Sequence, residues 1–78
     1  MADVANQPIR RGKVKRYIEA ADMVVVLEVP VIYAPEQPDE PLLEAETIRF
    51  LDEVTRRARA GDCAWLRTVG KIYEPARA

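Results

Sequence analysis

The chain contains no serine and no histidine, a single cysteine, and three glycines among 78 residues. Without serine or histidine, one chain cannot assemble a Ser-His-Asp triad, a Cys-His pair or a histidine-ligated metal centre. The lone Cys63 excludes an internal disulfide and a structural zinc site. Gly12, Gly61 and Gly70 lie too far apart for a phosphate-binding loop. Acid–base chemistry would have to rest on carboxylates, tyrosines and lysines, which form no recognisable constellation. An enzyme is therefore not expected, and neither is a cofactor or a metal. The lone cysteine and the lack of a signal-peptide pattern point to a reducing, cytoplasmic setting. The longest apolar run, Met23 to Tyr33, is too short to span a bilayer and contains Glu28 and Pro30. No membrane association is expected.

What the chain does have is that run. Val24, Val25, Val26, Val29, Val31 and Ile32 are stiff at χ1 and suit a pleated surface. Pro30 forbids a helix interior and, lacking a ladder donor, marks an edge, a bulge or a strand end. Met23 to Tyr33 is read as the central strand. Alternation puts Val25, Leu27, Val29, Val31 and Tyr33 on one face, wholly apolar. The other face carries Val24, Val26, Glu28, Pro30 and Ile32. A helix can cover the first face. The second needs the N-terminal segment or another copy of the chain, so Val24, Val26 and Ile32 are the candidate self-association residues.

Leu42 to Ala60 is the clearest helix pattern, with Leu43, Thr47, Ile48, Phe50, Leu51, Val54, Thr55 and Ala58 on one broad face. Gly61 ends it. Asp62 reads as a fresh N-cap for a short helix over 62–69, ended by Gly70. Lys71 to Glu74 is a short strand stopped by Pro75. Residues 9–22 are ambiguous. Val14, Tyr17, Ile18 and Ala21 recur at helical spacing, whereas Val14, Arg16, Ile18 and Ala20 alternate as on a strand. The strand over 13–20 is favoured, as a hairpin partner for the central strand, although no Asn-Gly or Asp-Gly marks the turn. The expected fold is α+β: a small antiparallel sheet packed against a long helix (43–60) and a short one. It is one domain over 1–78, with flexible tails at 1–8 and 76–78. A chain this short buries roughly 60–65% of its unfolded surface, so stability is marginal and a partner would add to it.

Net charge is −1, but unevenly laid out. Residues 1–22 hold five bases and three acids, residues 23–47 six acids and no base, and residues 48–78 seven bases and four acids. Such a layout favours contacts of both ends with the middle, within or between chains. The acidic proline loop supplies Glu36, Asp39, Glu40 and Glu44, with Glu46 just beyond, a surface for a basic protein partner. These carboxylates lack the spacing of an EF-hand. The basic run Arg10, Arg11, Lys13, Lys15 and Arg16, with Tyr17 beside it, offers phosphate contacts to nucleic acid. A ribbon-helix-helix arrangement fits poorly, because the central strand projects only Glu28 as a charged group. Cys63, next to a helix N-terminus but beside Asp62, reads as a small half-buried residue rather than a nucleophile. Trp65, with Leu66 and Val69, reads as core rather than as a partner anchor. The leading expectation is a non-enzymatic interaction or regulatory module, self-associating as a homodimer through the central strand. The alternative is a nucleic-acid-associated regulator using Arg10 to Arg16.

Overall fold

The valine-rich run forms strand β2 (Met23–Tyr33), at the centre of an antiparallel sheet. The computed structural model describes residues 9–20 and 22–74. The expected tails at 1–8 and 76–78 lie outside the described residues. The ambiguous N-terminal segment is strand β1 (Arg10–Ala20), paired with β2 along its whole length from Arg10↔Tyr33 to Ala20↔Met23. The hairpin reading therefore holds, with the strand three residues longer at its start than its alternation indicated. The third strand, β3 (Lys71–Tyr73), pairs with β2 only at Val24, Val25 and Val26. Strand order is β1-β2-β3.

Helix α1 (Ala45–Ala60) and the four-residue α2 (Cys63–Leu66) cover one face of this sheet. The buried residues of β2 are those on its wholly apolar face. Val25 and Val29 are fully buried, Val31 nearly so, and Leu27 and Met23 join them. Each such side chain contributes about 1.5–3 kcal/mol relative to exposure. From above, Thr47, Val54 and Ala58 of α1 and Leu66 of α2 close the core, with Phe50, Leu51 and Trp65 packed at its margin. Ile48 is a correction. Helical periodicity puts it on the inner face, yet it is 48% exposed. The buried stripe runs through Thr47, Val54 and Ala58, which is narrower than the apolar face of the sequence.

Helix α1 ends on Gly61 at φ 74°, a left-handed conformation that glycine takes without strain. The Gly61 and Asp62 amides donate to the carbonyls of Ala58 and Arg57. Asp62 then caps α2, its carboxylate accepting from the Trp65 amide at 3.2 Å. The short helix is shorter than 62–69. After Leu66 the chain continues in i→i+3 turns, the Thr68 amide donating to Trp65 and the Val69 amide to Leu66, with the Gly70 amide also reaching the Leu66 carbonyl; such turns are frequent at helix ends.

Pro30 is accommodated by register. Ile32 and Leu42 exchange two backbone hydrogen bonds, of 3.0 and 2.8 Å, on the side of β2 away from β1. Backbone direction alternates, so Pro30 and Glu28 face that same side. No described strand pairs there between Lys71 and Leu42. The missing N–H of Pro30 therefore falls on an open stretch, and the edge reading of Pro30 is the one observed.

Candidate functional site

No described element covers the second face of the sheet. Register fixes what stands on it, since directly paired residues point to the same side. One row across the sheet is Glu19, Val24 and Tyr73; the next is Tyr17, Val26 and Lys71. Then come Lys15 with Glu28, Lys13 with Pro30, and Arg11 with Ile32. Tyr17 is 66% and Tyr73 55% exposed, both on this face. They lie diagonally across the half-buried Val24 and Val26, two strands and two residues apart, roughly 12 Å by ideal sheet spacings. Lys13, Lys15 and Lys71 are exposed, and none forms an ion pair among the described residues.

Because β3 stops short of the end of β2, an open groove of about 520 Å³ lies beside it. Lys13, Lys15, Lys71 and Tyr73 line it together with Val26, Leu27, Glu28 and Val69. Gly70 forms part of its rim, where the chain crosses the Val26 carbonyl.

The basic run is thus divided by the pleat. Lys13 and Lys15 stand on the open face, while Arg10 and Arg16 pair with Tyr33 and Leu27 on the helix side. Arg10 donates from Nη2 to the Pro38 carbonyl at 2.7 Å, its guanidinium 5.0 Å from the Tyr33 ring centroid. Arg11 Nη1 lies 3.1 Å from Glu44 Oε1. Glu44 precedes α1 without capping it by its side chain. The acidic middle and the basic N-terminal strand therefore meet within one chain, as the charge layout allowed. This exposed pair is a weak one. Glu36, Asp39 and Glu40 are solvent-exposed in the loop, whose turns are held by Gln37 to Ala34 and Glu40 to Gln37 bonds.

The strongest electrostatic cluster is elsewhere, at the α1–α2 corner. Arg57 donates to Glu53 at 2.6 Å and to Asp62 at 2.7 Å, while Arg56 also reaches Glu53. The hydrogen bond from Arg57 is the main reason both carboxylates titrate below their ordinary range. The same bonds, Glu53 first, raise Arg57. Arg57 also stacks over Trp65 at 4.9 Å, and Trp65 meets Phe50 at a 6.3 Å centroid distance. Trp65 is half-buried among core residues, in keeping with its core reading. This cluster fastens the two helices together. Cys63 is a free, half-buried thiol in the first turn of α2. Among the described residues no group of three or more carboxylate or thiol side chains is placed to hold a metal. No described helix is long and apolar enough to cross a membrane.

Sequence reasoning missed two contributors, Lys71 and Tyr73. Their signal was the Lys-Ile-Tyr alternation, but the pairing that brings them to Val24 and Val26 is long-range. The chain matches no protein-family model, no curated protein and no solved structure.

Proposed function

We propose that the open face of the sheet binds single-stranded nucleic acid. The observation that supports this reading is one surface bearing Lys13, Lys15 and Lys71, unpaired among the described residues, together with the exposed Tyr17 and Tyr73. Bases stack on aromatic side chains whatever their sequence, and lysines neutralise the phosphates between them. Val24 and Val26 form an apolar floor between the two rings, which suits the faces of bases better than a charged duplex backbone. Glu19 and Glu28 stand on the same face and limit how far the phosphate path extends. The protein is then a small non-enzymatic binding module.

Other readings have less support. Two copies meeting face to face through Val24, Val26 and Ile32 would gather Lys13, Lys15 and Lys71 of both copies into one interface, with Glu19 and Glu28 alone to offset them. A basic protein partner would find Glu36, Asp39 and Glu40 exposed, but Glu44 already engaged by Arg11.

Fluorescence anisotropy with labelled single-stranded homopolymers tests the proposal. Binding should weaken steeply between about 50 and 200 mM salt. Tyr17→Ala and Tyr73→Ala should each lose about 1–3 kcal/mol of affinity, roughly 5- to 150-fold. No binding at the lower salt, or full binding by both tyrosine variants, rejects it.

A further inference from the structure

The outer edge of β1 carries information that the open face does not. Even-numbered residues of β2 bond away from β1, as the Ile32–Leu42 exchange shows, so odd-numbered ones bond toward it. Their partners on β1 are Gly12, Val14, Arg16 and Ile18. Arg11, Lys13, Lys15, Tyr17 and Glu19 consequently direct N–H and C=O outward, and no described strand pairs with them. A long edge of this kind is a template for another strand. Its charges decide which one.

We propose that β1 pairs with β1 of a second copy, antiparallel about a two-fold axis through Lys15, giving a continuous six-stranded sheet. In that register Arg11 opposes Glu19 twice and Lys13 opposes Tyr17 twice, an ion pair and a cation–π pair on each side of the axis. Only Lys15 meets its own copy. The whole of Arg10–Ala20 is used. Centring the axis on Val14 instead opposes Lys13 to Lys15 twice. Centring it on Arg16 brings two Arg16 Cα atoms to about 4.5 Å, a non-hydrogen-bonded pair, and leaves Arg10 and Arg11 overhanging. A foreign strand meets Lys13 and Lys15, which form no ion pair among the described residues, with Arg11 beside them, so the same charges that discourage other partners fit this one. The proposal does not rest on nucleic-acid binding, although Arg11, Lys13 and Tyr17 belong to both surfaces.

Sedimentation equilibrium of the full chain should show a concentration-dependent species at twice 8.8 kDa. Lys15→Pro removes an N–H that the monomer does not use, and should give a monomer with an unchanged circular dichroism spectrum. In a Cys63→Ser background, Lys15→Cys should cross-link into a disulfide-bonded dimer under mild oxidation, and Arg16→Cys should not. Glu19→Arg should weaken the dimer at least 10-fold, and adding Arg11→Glu should restore it. A monomer at every concentration, a dimer that survives Lys15→Pro, or cross-linking by Arg16→Cys in place of Lys15→Cys overturns the proposal.

Discussion

Gly70 passes so close to Val26 that a Cβ at residue 70 would lie 2.4 Å from the Val26 carbonyl oxygen and 3.0 Å from Leu27 Cβ. The obstacle is backbone, which cannot swing aside as a side-chain tip can. This contact seats β3 against β2, and with it Lys71 and Tyr73 on the open face. Gly70→Ala should therefore cost about 1–3 kcal/mol in urea denaturation, as overpacking does, and should displace β3. Gly61→Ala makes a useful contrast. It meets no atom within 4 Å but holds φ at 74°, so it should cost about 1–2 kcal/mol while leaving the open face intact. A Gly70→Ala variant as stable as the parent would show that β3 docks differently.

Acid should loosen the α1–α2 corner first. Glu53 and Asp62 both have depressed folded-state pKa values through Arg57. A carboxylate depressed in the folded state contributes stability above its unfolded pKa, and that contribution disappears as pH falls through the folded value. Thermal midpoints should thus be flat near neutrality and fall below the ordinary carboxylate range, about pH 4. Asp62→Asn keeps a cap acceptor for the Trp65 amide but loses the ion pair, so it should lower the neutral-pH midpoint and flatten the acid decline. Asp62→Ala loses both and should be the less stable of the two. Equal midpoints for the two variants would show that the cap contributes nothing.

Leu66 is fully buried although α2 is only four residues long. A helix of one turn has no stability of its own, so its position depends on this anchor. Leu66→Ala should cost about 2–5 kcal/mol, measured as a shift in the urea midpoint at constant m-value. In a chain this small, that is a large share of the total.

The architecture was legible wherever local pattern and tertiary role agree. Met23–Tyr33 announced itself through β-branched residues, and Pro30 announced the open stretch of edge. Gly61 and Asp62 marked the helix boundary, because left-handed geometry and capping are local demands. Position within the sheet was less legible. Arg10 to Arg16 looked like one basic arm, whereas the pleat assigns neighbouring residues to opposite sides. The hairpin turn carried no Asn-Gly signal, so its existence rested on the need of β2 for a neighbour. Lys71 and Tyr73 join the candidate site through a pairing with residues almost fifty positions earlier, and nothing local encodes that register. Ile48 departs from its apolar pattern because helical periodicity shows which residues are apolar, not how wide the sheet beneath them is.

The division of the basic run gives the sharpest test of the proposed interface. If the run acted as a flexible arm, neutralising any of its members would weaken binding to a similar degree. If the sheet face is the binding surface, the effect should alternate with residue number. Lys13→Gln and Lys15→Gln remove charges from the face that carries Tyr17, and Lys71→Gln does the same from the far strand. Each should reduce the slope of log affinity against log salt by about one. Arg16→Gln lies between them in sequence but projects to the helix side opposite Leu27, so its slope should match the parent's. Arg10→Gln, which loses its bond to the Pro38 carbonyl, should also leave the slope unchanged. Salt titrations of anisotropy across the five variants decide the matter. A slope lost equally by Arg16→Gln and Lys15→Gln would mean that the phosphates do not follow this face.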